Sequence, residues 1–146
     1  MTAAIDTMYV DTSVLVKLYV REPDSEACEA VADGASLVSS GLLFCEFRSA
    51  ILGKVSRGSV SREVGAEVWQ EFKRDIEARY IQFVPLDEVL IRDAADLLAE
   101  LRPDVQLRTL DALHLATFLS AEVGPLFTKD MRMLKAAEHL GLALAV

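Results

Sequence analysis

The chain alternates between short apolar runs and longer stretches in which apolar residues return every three or four positions. Runs of the first kind are Met8-Tyr9-Val10, Ser36-Leu37-Val38, Ile81-Gln82-Phe83-Val84, Leu126-Phe127-Thr128 and Leu142 to Val146, and they predict strands. Between them the helical period predicts a helix from Val14 to Val20 that stops before Pro23, and another capped by Asp24 or Ser25 and closed at Gly34. A helix opened by Ser39 or Ser40 is expected to run to about Ser56, and Ser61 to cap the next, which carries Val68, Trp69, Phe72 and Ile76 on one face. Asp87 caps a helix through Leu101, and Arg102 to Arg108 is a loop carrying Pro103. Thr109 caps a helix to about Ala121, and Met131 to Leu140 is a last helix closed by Gly141. Brief apolar strands alternating with helices predict an α/β fold, a parallel sheet covered on both faces.

The 146 residues suit one domain, 1–146, and with 52% hydrophobic residues they can bury a substantial core. No run approaches the ~20 apolar residues of a membrane span. Met1-Thr2-Ala3-Ala4-Ile5-Asp6 lacks the basic and apolar segments of an export signal, so a cytoplasmic location is expected. Cys28 and Cys45 form no metal-ligand spacing, and Cys28, among Ala27, Ala30 and Val31, reads as a buried free thiol. Fifteen Lys and Arg against 23 Asp and Glu give a net charge of −8, the wrong sign for a nucleic-acid binder. That objection weakens where acids converge on divalent cations, which invert the charge shown to a phosphate. A basic partner peptide would complement the remaining acidic surface.

Sites in parallel sheets form beyond the carboxyl ends of the strands. Asp11 follows the first strand and Asp130 follows Leu126-Phe127-Thr128; each also precedes a helix, where capping is the plain structural alternative. Asp111 lies near the start of its helix on the stripe of Leu115 and Phe118, at the rim of an apolar face. Its alternative is an interaction with the free amides of its own helix. Glu46 sits in Leu42-Leu43-Phe44-Cys45-Glu46-Phe47, and Ala50 and Gly53 share its stripe, a small-residue face on which a neighbouring helix could approach closely. Its alternative is a salt bridge to Arg48, Arg57 or a more distant arginine. Four carboxylates make a hard-cation set suited to Mg²⁺ or Mn²⁺, with no His/Cys set competing. Thr12, Ser13 and Thr128 can orient a carboxylate or a metal-bound water, or can serve ordinary turn and cap chemistry.

These pieces resemble, in order and over essentially the whole chain, the PIN-domain family, particularly its VapC-type toxins. Met8-Tyr9-Val10-Asp11-Thr12-Ser13-Val14-Leu15 is similar to the family's opening strand and first acid, and Leu43-Phe44-Cys45-Glu46-Phe47 to the segment of the second. Leu110-Asp111-Ala112-Leu113-His114-Leu115-Ala116 resembles the third acid with its DAxHLA run. Phe127-Thr128-Lys129-Asp130-Met131-Arg132-Met133, then Ala136-Ala137 and Gly141-Leu142, resembles the closing segment. The resemblance implies a three-layer α/β/α sandwich and a metal-dependent endoribonuclease with Asp11, Glu46, Asp111 and Asp130 as catalytic metal ligands. It also implies Mg²⁺ or Mn²⁺, an RNA substrate, a homodimer and a cognate antitoxin. The other readings are a receiver-like acidic regulatory module and a PIN fold kept only as an interaction scaffold.

Secondary expectations complete the picture. Asp104 reads as a solvated loop acid rather than an extra ligand. His114 reads as a packing or hydrogen-bonding residue rather than a general base, because a metal-bound water needs no imidazole. Trp69 belongs to the core or a dimer contact rather than to base stacking. Arg48, Arg102, Arg108, Lys129 and Arg132 flank the acids, and the sequence does not distinguish which of them could meet phosphates.

Overall fold

Strand β1, Thr7–Val10, shows why the chain builds three layers. Met8 and Val10 point into one apolar cluster and Tyr9 into the other, and all three are fully buried. Period-2 alternation with both faces apolar can be satisfied only if helices cover both sides of the sheet. The computed structural model describes residues 5–146, and the part of the export-signal reading that falls on Met1 to Ala4 lies outside the described residues.

After β1 come α1 (Thr12–Tyr19), α2 (Ser25–Ala32), β2 (Ser36–Ser40) and α3 (Leu42–Ser56). These are followed by α4 (Arg62–Glu77), β3 (Ile81–Val84), α5 (Glu88–Leu101) and α6 (Thr109–Ala121), then β4 (Leu126–Phe127) and α7 (Met131–Leu140). The four strands are all parallel, in the order β3-β2-β1-β4. One core gathers Met8, Val10, Leu43, Phe47, Val68 and Phe72 on the side of α1, α3 and α4. The other gathers Tyr9, Leu97, Leu101, Leu115, Met133 and Ala137 on the side of α5, α6 and α7. The expected α/β/α sandwich is the observed architecture. The chain leaves β1 toward β2 and β3 and returns to β4 on the other side of β1. The topological switch, and the crevice it opens, therefore lies at the carboxyl ends of β1 and β4.

Several boundaries differ from the sequence reading. Ser39 and Ser40 belong to β2, where Ser39 donates to the Val10 carbonyl at 2.6 Å, and α3 starts only after Gly41. Arg108 rather than Thr109 caps α6. The expected final strand reduces to one parallel bridge between Leu126 and Leu144. The small-residue face of α3 is not a close helix contact either: the space over Gly53 holds the guanidinium of Arg57, and the helix buries Leu43, Phe47 and Ile51 instead. Gly141 ends α7 at φ +66°, a left-handed cap that costs a glycine least. Gly124, leading into β4, is required for a different reason: a Cβ there would lie 2.1 Å from the Thr7 carbonyl oxygen. Among the described residues no helix is long and apolar enough to cross a membrane.

Candidate active site

Asp11 occupies the turn between β1 and α1 and is only 5% exposed. Its Oδ1 accepts from Ser13 Oγ at 2.5 Å and from the Val14 amide at 3.4 Å, and its Oδ2 accepts from Thr128 Oγ1 at 2.5 Å. Capping and burial therefore coexist at this residue, and no ion pair compensates it among the described residues. Burial pushes the Asp11 carboxyl above the usual aspartate range, although the hydrogen bonds from the two hydroxyls and the Val14 amide pull in the other direction.

Asp130 is tied to Asp11 through Thr128. The Asp130 amide donates to Thr128 Oγ1 at 3.0 Å, the same oxygen that donates to Asp11. Asp130 caps α7 through Oδ1, accepting from the amides of Arg132 (2.8 Å) and Met133 (3.2 Å). The Lys129 amide donates to Ser13 Oγ at 2.9 Å, so the turns after β1 and β4 are laced together.

Glu46 reaches the same region from α3. Its Oε1 accepts from Thr12 Oγ1 at 3.0 Å and lies 2.5 Å from His114 Nε2. A carboxylate only accepts, so Nε2 donates, leaving Nδ1 of the neutral ring to accept from the Tyr9 hydroxyl at 2.8 Å. Burial raises the Tyr9 phenol far above its ordinary value, which keeps it a donor. The anticipated arginine partner of Glu46 is therefore a histidine, buried at 3% exposure and one helical turn beyond Asp111. Glu46 is thereby tied to the helix that carries Asp111.

Asp111 is half-buried in the first turn of α6, where its Oδ2 accepts from the Arg108 amide at 3.0 Å. Burial raises its carboxyl and the negative charge of Asp130 adds to that; the Arg108 amide and the charges of Arg132 and Arg108 oppose it. Asp130 is thus close enough to disfavour ionisation of Asp111.

The donor set fits a hard divalent cation in three respects. All four acids offer oxygen. In Glu46, Asp111 and Asp130 one oxygen is pinned by the hydrogen bonds given above, while Oε2, Oδ1 and Oδ2 respectively make none among the described residues. Asp11 is a buried anion without a cation, and Asp111 and Asp130 repel. No group of three His, Cys, Asp or Glu among the described residues is drawn tightly enough to hold one ion.

Other residues fall largely where the sequence placed them. Asp104 is an exposed loop residue and Cys28 is buried. Trp69 is half-buried among Phe44, Phe47 and Phe72, with the Arg48 guanidinium 4.7 Å from its ring centre. The sequence reading missed Tyr9 as an anchor for His114; its polar tip in an all-apolar strand was the available signal. It also missed the ionic cluster in which Lys17 lies 2.8 Å from both Glu22 and Asp24, while Lys54 lies 2.5 Å from Glu22. Lys17, Glu22 and Asp24 line a cavity of about 540 Å³ with Thr12, Ser13 and Asp130, and nothing in local sequence announces it.

Comparison with known proteins agrees with this geometry. The family described as the PIN domain matches residues 8–139. The chain is 36% identical over 140 residues to ribonuclease VapC46 of Mycobacterium tuberculosis, covering 94% of this chain and 95% of that protein. Among solved structures, the Mycobacterium tuberculosis toxin VapC20, described as cleaving the sarcin-ricin loop, superposes with a TM-score of 0.69 at 13% identity, over 93% of this chain and 96% of that one. FitAcB from Neisseria gonorrhoeae superposes equally, at 0.69 and 15% identity, over 95% of this chain and 96% of its own. The two structures speak for the fold, and the family match with the full-length relative speaks for descent: the chain belongs to the PIN-domain family, among its VapC ribonucleases.

Proposed function

We propose that this protein is an endoribonuclease that uses Mg²⁺ or Mn²⁺ held by Asp11, Glu46, Asp111 and Asp130, and that it acts as the toxin of a toxin–antitoxin pair. The observation that carries the reading is the hydrogen-bonded path Asp130–Thr128–Asp11 at the carboxyl ends of β1 and β4, where the topology of the sheet switches. The contact of Glu46 with His114, on the helix that carries Asp111, and the nearness of Asp130 to Asp111 support it. In such chemistry the divalent ion supplies an activated water and stabilises the leaving oxygen of the phosphodiester.

The chain's own residues do the positioning. Ser13 and Thr128 fix the Asp11 carboxylate in both rotation and depth. Thr12 and His114 hold Oε1 of Glu46, and Oε2 makes no hydrogen bond among the described residues. The amide of Arg108, the cap of α6, holds one oxygen of Asp111, and first-turn amides of α7 hold one of Asp130, where the positive helix ends favour anions. An antitoxin partner is supported by relatives solved as such complexes, among them VapBC2 from Rickettsia felis, described as bound to promoter DNA. A homodimer belongs to the same proposal.

The test is cleavage of RNA by purified, partner-free protein. Cleavage is expected with Mg²⁺ or Mn²⁺ and not with chelator. Asp11→Asn, Glu46→Gln, Asp111→Asn and Asp130→Asn should each lose it while remaining folded. Full cleavage by a folded Asp11→Asn variant would remove that residue from the mechanism.

A further inference from the structure

Arg102 in the loop after α5, Arg108 at the cap of α6 and Arg132 in the first turn of α7 line one cavity of about 450 Å³. All three are exposed, and among the described residues none forms an ion pair. Acids outnumber basic residues in this chain, so three guanidinium groups in one depression without a carboxylate partner are not explained by surface pairing. Gln106 and Thr109, on the same wall, add neutral donors. The chemistry is that of an anion seat with planar, forked donors, which suits phosphate.

Its position ties it to the acids. The backbone amide of Arg108 holds Asp111, and the backbone amide of Arg132 holds Asp130. Two of the three arginines are therefore the residues whose main chain pins the proposed metal-holding carboxylates, and the arginine cavity shares a wall with the acidic crevice. Of the other flanking cations, Arg48 lies over Trp69, and Lys129 lines the cavity that Asp130 shares with Lys17 and Glu22.

We propose that the Arg102–Arg108–Arg132 cavity seats a backbone phosphate of the RNA strand, next to the phosphodiester presented to the acids. This assignment rests on the ribonuclease reading and adds to it a substrate-holding site. A polymer crossing the acidic crevice meets a net-negative surface, and this cavity supplies the compensating charge at the crevice edge.

The experiment is fluorescence anisotropy of a labelled single-stranded oligoribonucleotide, in chelator so that nothing is cut, across a salt series. Arg102→Gln, Arg108→Gln and Arg132→Gln are each expected to weaken binding about tenfold, the scale of losing a charged hydrogen bond. The triple variant should flatten the dependence of log K on log salt by about 0.7, the value for one phosphate contact on a single strand. Arg48→Gln should bind like the wild type. If the triple variant keeps wild-type affinity and slope while the wild type cleaves RNA with metal, the phosphate seat is overturned and the ribonuclease reading stands. If the substitutions weaken RNA binding as expected but the wild type never cleaves with metal, the seat stands and the hydrolase reading falls. If they weaken binding only of an acidic antitoxin segment and leave RNA untouched, the cavity is a protein-docking site and the proposal is overturned.

Discussion

His114 Nε2 lies 2.5 Å from Glu46 Oε1, and the opposite edge of the same imidazole accepts from the Tyr9 hydroxyl. A phenol from β1 thus sets the ring of an α6 histidine, which in turn sets a carboxylate from α3. Under the proposed mechanism His114 is a positioning residue for a metal-holding acid. His114→Gln is expected to weaken divalent-ion activation by roughly 10–100-fold, the usual effect of losing an outer partner of a ligand. The Mn²⁺ titration of cleavage should shift to higher concentration, with excess ion restoring much of the rate. An unmoved titration curve in a folded variant would contradict this role.

Asp11 gives a prediction with a definite sign. Burial raises its folded-state pKa above the unfolded value, so its protonated form stabilises the fold below the ordinary aspartate range, and that contribution is lost as pH rises through the folded pKa. Above its folded pKa, without metal, ionised Asp11 therefore costs stability. Asp11→Asn should raise the metal-free melting temperature by a few degrees and flatten its dependence on pH from the aspartate range upward. It should also abolish cleavage. Thermal scans over pH in chelator are the measurement; a lower melting temperature for the variant at neutral pH would refute the account.

Metal should act as a folding ligand. A site filled at 100 times its dissociation constant adds about 2.7 kcal/mol to stability. Adding Mg²⁺ or Mn²⁺ should raise the wild-type melting temperature, chelator should reverse it, and Asp11→Asn or Asp130→Asn should lose most of the response. Calorimetry distinguishes this from a general salt effect, which Ca²⁺-free monovalent salt of equal ionic strength would reproduce.

Far from the carboxylates, Gly124→Ala would force a Cβ against the Thr7 carbonyl oxygen, a backbone atom that cannot rotate away. A cost of about 2 kcal/mol or more is expected, at the upper part of the usual overpacking range. Denaturant unfolding should show a lower midpoint with an unchanged slope.

The alternation of period-2 and period-3.6 segments made the layers readable before any coordinates, because Met8 to Val10 of β1 and both residues of β4 are apolar and must be covered on both sides. Asp11 and Asp130 were legible for a similar local reason, each lying just past a strand that a parallel sheet aims at its crevice. Glu46 was legible only as a charge in an apolar window, and its partner was not, since His114 stands 68 positions away. The ends of elements were least visible. Ser39 and Ser40 look like helix caps in one dimension, yet the Val10 carbonyl offers Ser39 a better partner across the sheet. Leu142 to Val146 has strand composition, but pairing beyond Leu144 needs a neighbour that β4, two residues long, does not provide. The convergence of Arg102, Arg108 and Arg132 is likewise a property of the α5–α6 loop meeting the first turn of α7, which spacing along the chain does not encode.

The hydrogen bond from Thr128 to Asp11 spans 117 positions of sequence. Contacts of such long range form late and slowly, since the intervening loop must close before they repay its entropy. A nascent chain leaving the ribosome consequently carries its opening aspartate for most of its synthesis without the hydroxyl that orients it. Under the proposed mechanism, a chain cut short before Thr128 lacks both that hydroxyl and Asp130 and is expected to cleave no RNA.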